Sequence, residues 1–341
     1  MRAPAKPTVR ACVYFLELRM GMKRCFGSVL ACAMLAALAG AEGPVQPGGR
    51  NKPGFAYDEA RKKFVLFGGF DGTACKVCGD TYEWDGARWI RHDVPGPSPR
   101  AAMAMAYDGA RKTVVLFGGT NGTDWYGDTW EWDGTAWSRL AVEGPAARSG
   151  SQMAFDDSRK KMVMFGGIDK DRKLFGETWE WGGGTWREAV ASTAPDARVL
   201  AFLAYDSARR RIVMFGGNKS TMPPPDAGLL GDTWEWDGTK WEQFDGAAPG
   251  KRDHYGMAYD DARHSVVLFG GWNQNYLGDT WERAGTEWKK AAISGPSARG
   301  GSPSMAYDRV CKKVVLFGGW DVKGPAGDVW EWDGARWEKV W

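Results

Sequence analysis

The stretch "GDTWEWDGTAW", residues 127–137, returns six times with small changes in this chain of 341 residues. In the fifth copy it reads "GDTWERAGTEW", residues 278–288. Upstream of each copy stands "FGG", beginning at Phe67, Phe117, Phe165, Phe215, Phe269 and Phe317, at intervals of 50, 48, 50, 54 and 48 residues. A period near fifty with a glycine pair and spaced aromatics signals a propeller built from four-stranded blades.

Each copy carries four strand signals. In the first, Phe55, Met105, Met153, Leu203, Met257 and Met305 lie two residues before Tyr57, Tyr107, Phe155, Tyr205, Tyr259 and Tyr307, with an alanine between. That alternation has the period of a strand. The second segment, such as Val114-Val115-Leu116-Phe117, is apolar throughout, as a strand covered on both faces requires. Asp-Gly at 85–86, 133–134, 237–238 and 333–334 then predicts tight turns between strands three and four. The fold class is therefore all-β: a six-bladed propeller over 42–341, four antiparallel strands per blade.

The glycine pair, the downstream Tyr or Trp and the later Trp resemble kelch repeats, and the pattern is similar to the kelch-type repeats of exported bacterial proteins. The resemblance runs from residue 50 to 341. It implies first strands lining an axis, and a ligand face formed by the loops after strands two and four. It implies no single chemistry, since members include actin-binding proteins, ubiquitin-ligase adaptors, a galactose oxidase and sialic acid mutarotases. Two departures stand out. Arg283 replaces the second Trp of copy five, so that blade is expected to pack differently. The sixth copy ends with its own fourth strand at Trp341, so closure is expected to rest on face packing between blades one and six.

The first 41 residues differ from the rest. Lys23 and Arg24 precede an apolar run from Phe26 to Ala41 with small residues near its end, the layout of a secretory signal. Residues 1–21 read as a prefix to the true start at Met20 or Met22. The protein is expected to be secreted or periplasmic, a monomer, without a transmembrane segment in its mature form. The net charge of +3 arises in this leader: beyond it stand 39 basic and 41 acidic residues, which argues against a nucleic-acid partner.

Sixteen of the 20 Trp occupy repeat positions and are expected to hold the blades together. Four do not: Trp341, and Trp125, Trp272 and Trp320 in loops between strands two and three. Phe70, Tyr126, Phe175 and Tyr276 share those loops. Aromatics that the repeat does not demand are candidates for a sugar face or a peptide side chain. Equally, they could fold back over the loops. Asp71, Asn121, Asp169, Lys219, Asn273 and Asp321 follow the glycine pairs and could line the channel mouth or cap turns.

Arg50, Arg100, Arg148, Arg198, Arg252 and Arg299 precede the first strands and could converge on a carboxylate or phosphate. Against this stand two carboxylate columns available as internal partners: Glu83, Glu131, Glu180, Glu235, Glu282 and Glu331, and Asp58, Asp108, Asp156, Asp206, Asp260 and Asp308. Cys75 and Cys78 read as a local disulfide in an exported protein, with Cys311 as an odd third. No zinc motif, phosphate loop or Ser-His-Asp set appears, and His92, His254 and His264 fit no copper site, so no metal or cofactor is expected. The function read from sequence is a binding module for a glycan or protein partner, acting through loops on one face. The alternative is a sugar-modifying enzyme, such as a mutarotase of acidic sugars, using the axial arginines.

Overall fold

The computed structural model describes residues 46–72, 76–220, 227–291 and 294–341. The leader read at 1–41 and Cys75 of the expected disulfide lie outside them.

Six antiparallel four-stranded meanders form the molecule, and no helix occurs among the described residues. The first strands are Gly54–Asp58, Ala104–Asp108, Gln152–Asp156, Phe202–Asp206, Gly256–Asp260 and Ser304–Asp308. Each packs on the first strand of the next blade, and the sixth packs on the first, so the ring closes. Blade two shows the register: Met105 opposes Leu116, which opposes Trp130, and Trp132 opposes Trp137.

The core lies between the blades. Along each second strand one set of side chains meets the preceding blade and the alternate set meets the following one. Ala56, Val65 and Phe67 of blade one thus pack on Met103, Val114, Leu116, Trp132 and Trp137 of blade two. The same cluster recurs at every junction, including Val315, Phe317 and Val329 of blade six against Phe64, Trp84 and Trp89 of blade one. Buried apolar strands of this kind contribute roughly 25 cal/mol per Å² removed from water.

The repeat tryptophans divide by depth. Trp84, Trp132, Trp181, Trp236 and Trp332 are buried, as are Trp89, Trp137, Trp186, Trp241, Trp288 and Trp337. Trp130, Trp179, Trp234, Trp281 and Trp330 are only half-buried. The fourth-strand indoles donate back across the junction: Trp137 to Thr81 at 2.9 Å, Trp186 to Thr129 at 2.9 Å, Trp241 to Thr178 at 2.8 Å, Trp288 to Thr233 at 3.0 Å and Trp337 to Thr280 at 2.9 Å.

Blade five does pack differently. Arg283 is fully buried and reaches back to Glu235 of blade four at 2.6 Å, where Trp132 and Trp332 donate to Glu83 and Glu282 of their preceding blades. Closure uses more than face packing. Arg50 N donates to Ala326 O at 3.0 Å, and Gly319 N donates to Arg50 O at 2.8 Å. The same two main-chain bonds join the other blades, as in Arg148 N to Tyr126 O and Gly119 N to Arg148 O. The glycine pair makes room for them. Gly118 and Gly119 have φ of 67° and 97°, and a Cβ on Gly118 would lie 2.6 Å from Arg148 O.

Candidate functional site

The loop face begins with the arginines that precede the first strands. All six are buried, and none lines the axial cavities. Their counter-ions are neither of the carboxylate columns that the sequence offered. They are the acidic residues opening each "G-[DE]-T/V" step. Arg100 meets Asp128 at 2.5 Å, Arg148 meets Glu177 at 3.1 Å, Arg198 meets Asp232 at 2.7 Å, and Arg252 meets Asp279 at 2.7 Å. Arg299 meets Asp328 at 2.6 Å and Arg50 meets Asp80 at 2.8 Å. Each of Arg100, Arg148, Arg198, Arg252 and Arg299 also donates to the carbonyl of the first glycine in its own pair. Burial alone would push the Asp128, Asp232, Asp279 and Asp328 carboxyls up. The arginine bonds, with an indole N–H from Trp130, Trp234, Trp281 or Trp330, outweigh it and hold them below their ordinary range.

The loop aromatics separate into two groups. Tyr126 and Phe175 lie beneath Arg100 and Arg148, with guanidinium-to-ring distances of 3.9 and 3.6 Å, and serve those arginines. Trp125, half-buried in blade two, donates to Ser149 of blade three at 3.1 Å and lines an outer groove with Arg139, Val142 and Glu143. Phe70, Trp272 and Trp320 are different. Each follows a glycine pair and bridges the residue after a buried arginine: Asn51, Asp253 and Gly300. They sit on blades one, five and six, which are neighbours, and all three are half-buried. Tyr276 stacks edge-on against Trp272 at 5.0 Å. Tyr276 also lies against Gly300 of blade six, and the Trp320 ring lies against Gly72 of blade one. The result is an aromatic arc over half of the loop face. At the equivalent positions blades two to four carry Thr120, Ile168 and Asn218.

The small polar candidates are occupied locally. Asn121 accepts from the amides of Thr123 and Asp124, and Asp169 accepts from those of Asp171 and Lys173. Asp321 is buried and takes a 2.7 Å bond from Ser297; Asp71 is buried 3.9 Å from Arg50. Asn273 closes its loop by a main-chain bond to Asn275. Cys78 is buried and disulfide-bonded.

Inside the arc lies a feature that the sequence reading missed. Two residues after each buried arginine, or three in blade six, stand Lys52, Ala102, Gly150, Leu200, His254 and Ser302, all with φ between 53° and 67°. Main-chain bonds link five of the six steps into a hoop around the axis. Ala102 donates to Lys52, Gly150 to Ala102, Leu200 to Gly150, Ser302 to His254, and Lys52 to Gly301. The left-handed conformation recurs in every blade, so it belongs to the ring. The step without a bond is that from His254 to Leu200, where the Tyr255 hydroxyl instead accepts from Phe202 N at 3.0 Å.

The hoop frames the mouth of an axial cavity of about 80 Å³, lined by Lys52, Ser302, Gln152, Leu200 and the methionines of the first strands. The polar members of the hoop itself, Lys52, His254 and Ser302, again fall on blades one, five and six. His254 Nδ1 is 2.7 Å from Asp253 Oδ1, and Asn218 donates to Asp253 Oδ2 at 3.2 Å. Burial and the facing Lys52 push the His254 ring below its ordinary range, against the Asp253 bond. Burial likewise lowers the Lys52 ammonium, against the attraction of Asp253. A sequence signal did exist: Lys and His stand in a column otherwise filled by Ala, Gly, Leu and Ser.

No protein family and no curated protein matches the chain by sequence. Among solved structures 412 chains match, a breadth that marks a common fold rather than one activity. One, titled "Structure of YjhT", is 13% identical with a TM-score of 0.67, over 87% of this chain and 99% of that one. At that identity the likeness is one of fold.

Proposed function

We propose that this protein is an exported, kelch-type binding module that takes a carbohydrate partner on the aromatic arc of blades five, six and one. The observation that carries this reading is the asymmetry of the loop face. The buried arginines have internal counter-ions, while Trp272, Tyr276 and Trp320 stay half-exposed on adjacent blades without a repeat position to serve. Flat rings flanked by polar groups suit the faces of pyranose rings. A protein partner remains the competing outcome of the same test. The enzyme reading has less support, because the arginines meant to grip an acidic sugar are held by carboxylates of their own blades.

The test is a screen of soluble glycans by intrinsic fluorescence and calorimetry, with W272A, W320A and W125A in parallel. Loss of at least tenfold in affinity for the first two, with W125A unaffected, is the expected result. Glycan binding that survives both arc substitutions, or no glycan binding beside capture of a defined envelope protein, overturns it. Export is checked by fractionating cells and sequencing the mature N-terminus, expected near residues 40–42.

A further inference from the structure

We propose that the axial mouth between blades five, six and one is a binding site for a small carboxylate, with Lys52 as its counter-ion and Ser302 as a hydrogen-bond donor. Two observations converge there. Lys52 lines the cavity, yet its ammonium makes no ion pair or hydrogen bond among the described residues. The Ser302 hydroxyl is buried, lines the same cavity and lacks a partner. A half-buried cation without a bonded partner and a buried hydroxyl left open are costly, and both are donors. An anion with two acceptor oxygens satisfies the pair together, and about 80 Å³ accommodates a carboxylate in place of several waters.

The neighbours favour an anion over a cation. The titratable groups facing Lys52 are Asp253 and His254. Asp253 already accepts from His254 and Asn218, so its oxygens are occupied and neither bonds the Lys52 ammonium. With Nδ1–H donated to Asp253, the neutral imidazole repels no anion. Blades two to four present Ala102, Met153 and Leu200 to the cavity, with Gln152 as the polar residue on that side. This site rests on its own residues and not on the arc, so either reading can fail alone.

The experiment uses acetate as the probe and acetamide as its neutral isostere, with wild type and the variants K52M and S302A. Acetate is expected to raise Tm and to bind with proton uptake, seen as a dependence of calorimetric heat on buffer ionisation. Pairing restores the proton that burial disfavours on Lys52, so binding weakens as pH rises through the lowered lysine range. K52M should bind acetate at least tenfold more weakly while keeping its fold without ligand, because the ammonium it removes makes no ion pair or hydrogen bond among the described residues. S302A should weaken binding about fivefold with the fold intact. Equal shifts from acetate and acetamide, no shift at millimolar acetate, or undiminished acetate binding by K52M would each sink the proposal.

Discussion

Glu235 is the residue on which the irregular blade depends. It is buried, and both Arg209 and Arg283 converge on it. Where blades two and six set an indole N–H against the carboxylate of the preceding blade, this one sets a guanidinium. Breaking a buried pair from one side leaves charge without compensation, at roughly 3–5 kcal/mol. Glu235→Gln leaves the fully buried Arg283 without its counter-ion and Arg209 with only Asp206 at 3.8 Å, so denaturant unfolding should show a loss of that order. Arg283→Trp instead restores the repeat and leaves Glu235 with Arg209. It should cost little or stabilise, since apolar replacement of a buried ion is often favourable. If Glu235→Gln proves as mild as Arg283→Trp, the triad is not what holds blades four and five together. From sequence, Arg283 was visible as a break in a column, but its partner was not. Partners across a blade junction lie about fifty residues apart, and nothing in the spacing says which carboxylate column faces which side.

At the scale of one blade, the "G-D-T-W" step emerges as a connector. Its Asp holds the guanidinium that enters from the segment before strand one, its Thr receives the indole of the following blade, and its Trp bonds back to the Asp. The recurrence of these residues made the blade legible from the sequence, and with it the fold. The candidate site was legible only in part. Trp272 and Trp320 stood out as aromatics off the repeat, whereas Lys52, Asp253 and His254 gain meaning only once the first and last blades are neighbours. Acid stability follows from the connector. Asp128, Asp232, Asp279 and Asp328 titrate below the ordinary carboxylate value of about 3.9 when folded. Depressed carboxyls add stability that is fully present above the unfolded value and is lost as pH falls through the folded one. Urea unfolding followed by tryptophan fluorescence should therefore be level from about pH 5 to 7 and fall below about pH 4. Asp128→Asn should lower the level portion by about 3 kcal/mol, because Arg100 is left without its counter-ion. Stability unchanged down to about pH 3 would refute the assignment.

For the whole ring, the six junctions are not equal. Five carry the indole-to-threonine bond across the interface; at the sixth, blade six supplies Val329 where the others supply Thr, and Trp89 Nε1 is buried without a partner. The outer arginines Arg111 and Arg263, which reach the carbonyls of Gly182 and Asp333 on other blades, have no counterpart there, since Cys311 takes that place. Other contacts offset the loss. Trp341 packs edge-on against Trp84 at 5.4 Å, Arg309 pairs with Glu59 at 2.7 Å, and Ser304 bonds Pro53 O at 3.2 Å. The seam is nonetheless the junction that lacks the recurring threonine, and that defect is correctable. Val329→Thr keeps the shape of the side chain and offers an oxygen to the orphaned indole N–H. Satisfying such a donor is worth about 1 kcal/mol, or roughly 2–4 °C in Tm for a domain of this size. The control is Val163→Thr, where the residue is fully buried in a second strand with apolar neighbours. There the same hydroxyl should cost about 1–2 kcal/mol, because nothing receives it. Opposite signs for the two substitutions in a thermal melt show that the unmet Trp89 bond at the sixth junction costs the ring stability. Equal losses would mean that the Trp89 indole is already satisfied by solvent and that the seam is as tight as the rest.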